Sequence, residues 1–374
     1  MKIVHVVEPF ASGIAVFVRS LTETMPNDFH LVIHGERKEV MPASEVKKMF
    51  PAGNVRFVRW RSANRSLNPV RDIRAFRELL VLLKRLKKKE LVDVVHLHSS
   101  KSGFLGRLAC RIAGIDNVIY TPNGASFLSG RNRFMRRFYQ QLERLGHSLG
   151  GQVVCCSESE LGAYRSIGIE ATYINNGIAI SQAPAFGAAR KTGNRFRVVT
   201  SGRIVKQKDP GLFNEVAAYF AEFDRFEFTW IGDGEDRHLL TSPNIRVTGW
   251  LSEDAVRGLL EECDVYISTS QYEGLSFSVL EALSHYKPVL LSDCIGNRDV
   301  VKQGINGDLF RNKDQAVSRI LKYYNNLEML KVMGDYSRKI CEKEFDVTSN
   351  FSSYRELYVP GWKRVGTDQG LAGI

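Results

Sequence analysis

No stretch of this chain approaches the ~18 unbroken apolar residues that a membrane-crossing helix needs. The longest candidate, Leu79 to Leu83, is bounded by Glu78 and Lys84. The first residues, Met1 to Val7, form a short apolar run ended by Glu8-Pro9; they are too short for a signal peptide and read as a buried strand. A Cys-x-x-Cys pair is missing. Cys110, Cys155, Cys156, Cys263, Cys294 and Cys341 are scattered, which argues against a zinc site or disulfide framework and for reduced core thiols in a reducing compartment. His-Glu-x-x-His, Gly-x4-Gly-Lys-Ser/Thr, Gly-x-Ser-x-Gly and Gly-x-Gly-x-x-Gly are all absent. Zinc peptidases, P-loop hydrolases, elbow-type serine hydrolases and ordinary dinucleotide enzymes therefore lose their sequence basis. No Asp-x-Asp pair stands out, so no metal or other cofactor is expected. No internal repeat suggests a solenoid.

What is present is enough for two α/β domains: 374 residues, 44% of them hydrophobic. The net charge of +11 is unevenly placed. Residues 1–180 hold 27 Lys and Arg against 15 Asp and Glu, whereas residues 181–374 hold 25 against 26. An excess confined to one half points to an anionic partner for that half. Nucleic acid is not expected, because no recognition module is visible.

Apolar strand-like runs alternate with longer amphipathic stretches, the pattern of parallel βαβ units. In the first half strands are expected near 2–7, 29–34, 55–59, 93–97, 117–121, 152–156 and 171–174, with helices over 13–25, 71–89, 102–113, 133–149 and 158–167. Helix 71–89 sets Ile73, Phe76, Leu79, Leu80, Leu83 and Leu86 on one face and eight Lys or Arg on the other. The pattern breaks after Asn175-Asn176-Gly177 and restarts with strands near 196–200, 226–231, 245–248, 264–269 and 288–292. Helices follow over 210–223, 252–262, 277–285, 297–302, 314–325 and 327–343. The domains are thus expected at 1–180 and 196–343, joined by a small-residue linker at 181–195. The segment 344–374 carries a last helix that crosses back to the first domain and a frayed tail from Pro360. Two Rossmann-like halves leave a cleft at the carboxyl ends of both sheets, where such sheets bind ligands.

Two constellations face that cleft. In Ser201 to Pro210, Gly202 permits close backbone approach, Arg203 offers a planar fork for phosphate oxygens, and Lys208 adds a point charge just ahead of a helix N-terminus. In Gln271 to Ala282, the loop Gly274-Leu275-Ser276 enters a helix and presents backbone N–H groups to an anion. Glu273 lies in that loop. Glu281 lies about 2.2 turns further on, amid apolar neighbours, where a carboxylate can accept from two vicinal hydroxyls. His96 and His98, two apart on one strand, are expected on opposite faces, in structural or acceptor-side roles.

The pattern Glu273-x7-Glu281, preceded by Ser268-Thr269-Ser270, resembles the E-x7-E signature of retaining GT-B glycosyltransferases, notably glycosyltransferase family 4. Gly202-Arg203 with Gln207-Lys208-Asp209-Pro210 resembles that family's diphosphate loop. Ile231-Gly232-Asp233-Gly234-Glu235 and Val247-Thr248-Gly249-Trp250 resemble its next strand end and the segment near the donor base. His96 to Gly103 and Tyr120 to Gly124 resemble bacterial members that build O-antigen, capsule or exopolysaccharide. The resemblance implies a GT-B fold of two facing Rossmann-like domains and transfer of a sugar from a nucleotide-sugar, UDP-linked by expectation. Arg203 and Lys208 would hold the diphosphate, Glu281 the ribose and Glu273 the transferred sugar. Gly274, Leu275, Ser276, Gly13 and Gly232 would line the donor, and Asn123, His98 and Lys101 would contact sugar or acceptor. Arg203, Lys208 and Glu273 are the residues given catalytic roles.

The first loop, Glu8 to Gly13, keeps only Gly13 where the family often has a Gly-Gly pair, and Asn123 stands where many members have a histidine. The implied acceptor is an undecaprenyl-diphosphate-linked or oligosaccharide chain, met by a cytoplasmic enzyme peripheral on the inner leaflet. Helix 71–89 and the run Arg131 to Arg137 would supply the docking surface. Two other readings stand beside this one: an inactive GT-B subunit that binds nucleotide or glycan, and a GT-B epimerase. A phosphorylase would need a pyridoxal lysine, for which no signal is seen.

Overall fold

The computed structural model describes residues 1–37, 40–50, 53–64, 68–129, 132–187 and 195–359. Within them lie two parallel sheets. The first contains Lys2–Val7 (β1), Phe29–His34 (β2), Val55–Arg59 (β3), Val94–His98 (β4), Val118–Thr121 (β5), Gln152–Cys155 (β6) and Ala171–Tyr173 (β7), in the order β3-β2-β1-β4-β5-β6-β7. The second contains Phe196–Ser201 (β8), Phe226–Ile231 (β9), Ile245–Val247 (β10), Val265–Ser268 (β11), Val289–Ser292 (β12) and Gly307–Phe310 (β13), in the order β10-β9-β8-β11-β12-β13. Each sheet reverses its strand order beside its first strand, at β1/β4 and β8/β11. These are the switch points where parallel sheets open a crevice at their carboxyl ends.

The helices are Ser12–Thr24 (α1), Ala43–Lys48 (α2), Pro69–Lys88 (α3), Ser100–Ala113 (α4), Arg133–Ser148 (α5) and Glu158–Ser166 (α6) in the first half. The second half has Pro210–Tyr219 (α7), Glu253–Glu262 (α8), Phe277–Ser284 (α9), Asn297–Val300 (α10), Lys313–Tyr324 (α11), Leu327–Glu344 (α12) and Val347–Tyr358 (α13). Helices cover both faces of the central strands, so β1, β4 and β12 read as near-continuous apolar runs rather than alternating ones. All six cysteines are buried and unbonded to one another. No helix among the described residues is long and apolar enough to cross a membrane.

Most elements fall within a few residues of their expected positions, and the differences have physical causes. Helix α2 has six residues, too few for a helical period to show. Strand β13 begins Gly-Asp and lacks a strand-like composition; a Cβ on Gly307 would lie 1.8 Å from the Val289 carbonyl oxygen, so close backbone approach defines this edge. On α3 the buried residues are Ala75, Leu79 and Leu83, while Ile73, assigned to the apolar face, is 53% exposed. Linker residues 188–194 and the tail from Pro360 lie outside the described residues, as does Arg131 of the basic run.

His96 and His98 lie on the same face of β4, with ring centroids 4.1 Å apart. This corrects the opposite-face expectation: successive residues alternate, so i and i+2 share a side. They join His5 and His30 in a buried ladder. His30 Nε2 donates to the Met25 carbonyl (3.1 Å), His5 Nε2 donates to His30 Nδ1 (3.0 Å), and His98 Nε2 donates to His5 Nδ1 (3.2 Å). The carbonyl can only accept, so it sets the tautomers of His30, His5 and His98 in turn. Burial holds all four imidazoles below their ordinary pKa, with His–His repulsion adding to it at His5, His96 and His98. Helix α13 packs over this ladder on the first domain. Phe351 meets Phe17 at 5.0 Å, and the Tyr358 hydroxyl lies 2.7 Å from His96 Nδ1.

Candidate active site

The loop from β8 to α7 is shaped by two glycines in the left-handed region. Gly202 has φ +137 and Gly232 φ +135, and a Cβ on Gly232 would sit 2.2 Å from the Gly202 carbonyl oxygen. That oxygen accepts from Trp230 Nε1 at 2.9 Å, so the buried β9 indole fixes the turn that carries Arg203. Asp209, φ +49, caps α7 by accepting from Leu212 N. Lys208 reaches across to the second loop, its Nζ 2.7 Å from Glu273 Oε1.

The second loop is laced to the first. Gln271 N donates to the Gln207 carbonyl (2.8 Å), Gln207 Nε2 to the Tyr272 carbonyl (3.0 Å), and Thr269 Oγ1 to the Lys208 carbonyl (2.7 Å). Ser270 Oγ donates to Glu273 Oε1 at 2.7 Å, so this carboxylate is held from two sides. Burial pulls the Lys208 ammonium pKa down. Glu273, with smaller help from Tyr266 and Cys294, more than offsets that, and the net direction is upward. Glu281 is half-buried on α9. Burial, aided by Glu253, pushes it up to about 7, and among the described residues its carboxylate meets no cation or hydrogen-bond donor.

Several helices begin without a side-chain cap. No side chain caps α1, α2, α4, α9 or α10, whereas Asn68, Asn132, Ser157, Asp209, Ser252, Asn312, Asn326 and Asp346 cap α3, α5, α6, α7, α8, α11, α12 and α13. The N-termini of α1 and α9 face each other: a Cβ on Gly13 would lie 3.5 Å from the Phe277 ring. Two sets of free N–H groups from different domains thus converge, an arrangement suited to a diphosphate. Gly124 approaches just as closely, its N 2.7 Å from where a Cβ on Gly274 would be. Asn123, φ +54, stands beside this contact and accepts a hydrogen bond from Cys156 Sγ.

The structure therefore brings together Gly13, Asn123, Lys208, Glu273, Gly274, Leu275 and Ser276, with Gly202, Arg203 and Gly232 on the adjoining loops and Glu281 along α9. Two expected residues lie apart. His98 is fully buried in the histidine ladder, and Lys101 pairs with Asp72 at 2.7 Å on the α3 side.

The comparisons with known proteins bear on family and fold. Residues 11–182 match the model of Glycosyltransferase Family 4, and residues 183–340 match that of Glycosyl transferases group 1. The chain belongs to this glycosyltransferase family. A relative from Escherichia coli, UDP-Gal:alpha-D-GlcNAc-diphosphoundecaprenol alpha-1,3-galactosyltransferase, is 27% identical over 96% of this chain and 97% of its own length. An uncharacterized 41.2 kDa protein in the cps region of Klebsiella pneumoniae is 23% identical over 96% and 99%. Among solved structures, sucrose-phosphate synthase from Thermosynechococcus elongatus superposes with a TM-score of 0.78 at 14% identity, covering 96% of this chain and 98% of that one. Anabaena HepE in complex with UDP and glucose gives 0.74 at 16%, covering 95% and 98%. The fold is GT-B.

Sequence reasoning missed several residues that shape this glycosyltransferase site. Ser270 stands in the sequence only as the end of Ser268-Thr269-Ser270, yet in the structure it orients Glu273. Asn176 Nδ2 donates to the Leu275 carbonyl (2.8 Å) and ties the interdomain break to the donor loop. Asn297 Nδ2 donates to the Ser292 carbonyl behind Ser270. Asn176 lies 99 positions from its partner, so local spacing carries no signal there; Ser270 and Asn297 lie three and five positions from theirs, but an isolated polar residue in a loop does not announce what it bonds.

Proposed function

We propose that this glycosyltransferase moves a hexose from a UDP-sugar, with retention at the anomeric carbon, onto a lipid-linked or saccharide acceptor in surface-polysaccharide synthesis. The observation that carries the reading is the meeting of the Lys208–Glu273 pair with the uncapped N-termini of α1 and α9, beside the unpartnered Glu281 carboxylate. The galactosyl donor and diphosphoundecaprenol acceptor in the name of the Escherichia coli relative support the choice of substrates.

As the nucleoside diphosphate leaves, negative charge grows on its phosphate oxygens. Arg203, Lys208 and the two helix N-termini stabilise that charge more strongly in the transition state than before it, which is what accelerates transfer. In this reading no metal is called for. Glu273 receives hydroxyls of the donor sugar, and Glu281 accepts from the ribose. The leaving phosphate takes the acceptor proton on the same face as attack. Helix α5 supplies the membrane contact: Phe134 is 81% exposed, Phe138 46%, and Arg133, Arg136 and Arg137 are exposed among them. Such a surface suits an anionic inner leaflet.

The test is a thermal-shift panel of UDP-, GDP-, ADP- and dTDP-sugars on the wild type and Glu281→Ala. A ligand at about 100 times its Kd should stabilise by about 2.7 kcal/mol. The expected result is a rise with UDP-sugars that Glu281→Ala removes, followed by a product of retained anomeric configuration in NMR coupling constants. An inverted anomer overturns the mechanism. No rise with any nucleotide favours the inactive-subunit reading.

A further inference from the structure

Residues 157–160, where β6 gives way to α6, have no task in the mechanism above, yet they touch both walls of the site. Ser157 caps α6 by accepting from Glu160 N. Glu160 is fully buried, and its carboxylate is occupied by main-chain donors alone among the described residues. Oε1 accepts from Gly124 N (2.9 Å) and Ala125 N (3.0 Å), and Oε2 accepts from Cys156 N (2.9 Å). One side chain thereby fixes the loop that holds Asn123.

Ser159 reaches the other way, into the second domain. Its N donates to Asp299 Oδ1 at 2.8 Å, its Oγ donates to Asp299 Oδ2, and Gly296 N donates to Ser159 Oγ at 2.8 Å. Gly296, φ +85, presses on the donor loop: a Cβ there would sit 2.8 Å from Glu273 Cβ and 2.9 Å from the Gly274 carbonyl oxygen. Glu273 N also donates to the neighbouring Ile295 carbonyl. The segment Glu273-Gly274 is therefore pinched between Gly124 on one side and Gly296 on the other. Both pincers are anchored to adjacent residues of α6.

We propose that Ser159 and Glu160 are positioning residues for sugar transfer: Glu160 sets the Asn123 loop, Ser159 clasps the 295–299 segment behind Glu273, and together they fix the gap in which the donor sugar sits. The inference rests on the glycosyl-transfer reading. A misplacement of about 1 Å can cost about 100-fold in rate, so a clasp acting only on geometry should register in turnover rather than in binding.

The experiment measures UDP release from UDP-galactose with a GlcNAc-diphospholipid acceptor, and amide hydrogen exchange, on the full chain. Ser159→Ala, Asp299→Asn and Glu160→Gln are expected to lower kcat by roughly 10- to 100-fold, with the donor KM moving by less than about threefold. Ser159→Thr, which keeps the hydroxyl, should restore turnover. Exchange should quicken at 123–125 in Glu160→Gln and at 273–275 and 295–299 in Ser159→Ala. Faster exchange with kcat within about twofold of wild type overturns the proposal, as does unchanged exchange, or a Ser159→Thr as impaired as Ser159→Ala. Should Glu160→Gln not fold, the two variants at the partly exposed Ser159 and Asp299 carry the test. A wild type that transfers no sugar from any nucleotide donor sinks the glycosyl-transfer reading instead, and exchange alone then decides whether the clasp exists.

Discussion

The two domains share one architecture and divide the chemistry unequally. The second domain is near neutral and packs its core with Phe and Trp, as where Phe213 meets Trp230 at 5.0 Å. It supplies every charged side chain proposed for the donor site, from two laced loops and one helix. The first domain carries the whole positive excess and a core crossed by histidines. What it brings to the cleft is mostly backbone: the α1 N-terminus, Gly124, and the Asn123 turn. A nucleoside diphosphate demands cations, N–H groups and a hydroxyl acceptor in fixed places, which compact motifs can provide. An acceptor and a membrane surface ask for shape and distributed charge, which leave no short signature.

The largest expected effect lies in the second domain. Glu273→Gln leaves Lys208 facing a neutral amide and replaces one of two charged acceptor oxygens by an N–H donor, so kcat should fall by roughly 100-fold or more. Stabilisation by UDP alone, which lacks the transferred sugar, should persist. Asn123→Ala on the opposite wall should cost about tenfold or less, the worth of one neutral hydrogen bond. Equal losses in steady-state kinetics would break the contrast, because the first domain would then hold the sugar by its side chain.

The second effect tests the charge division. Arg133→Glu, Arg136→Glu and Arg137→Glu together remove about 1 kcal/mol per basic residue, so binding to anionic vesicles should drop by roughly 100-fold in sedimentation. Reversal of Lys322, Lys331 and Lys339, all exposed on the second domain, should leave it unchanged. If both triples act alike, the basic half is only a solubilising surface.

How far the site could be read from the sequence follows the same division. Glu273, Glu281, Arg203 and Lys208 stand out because each shares a loop or helix with its motif, and their residue types match the ligand's chemistry. Ser159, Glu160 and Asp299 do not. Glu160 and Ser159 look like an ordinary first turn of a helix, and their partners are 36 and 140 positions away. The sheets were legible because buried parallel strands are continuous apolar runs. Strand β13 was not, since Gly307 and Asp308 owe their place to a neighbour's backbone and to a hydrogen bond between Asp308 and Tyr323. The expectation for His96 and His98 errs by one step of the strand's alternation, and burial in the ladder suits the structural one of the two roles expected for His98.

The smallest effect is a pH dependence that sets the two domains directly against each other. Glu281 and Glu160 both titrate near 7, raised chiefly by burial. An ionised Glu281 accepts from both ribose hydroxyls, and protonation turns one of its oxygens into a donor, so UDP affinity should be flat above about pH 7 and fall by up to about tenfold per unit below it. Stability runs the other way. A folded pKa above the unfolded one means that the folded state holds the proton more tightly, so the contribution is full below about 4.5 and lost as pH rises through about 7. Glu281→Gln should therefore flatten the affinity profile in calorimetry and, relative to wild type, gain more in ligand-free melting temperature at pH 8 than at pH 5. If the affinity slope survives Glu281→Gln and disappears in Glu160→Gln, the proton acts through the Asn123 loop, and donor binding is governed from the first domain.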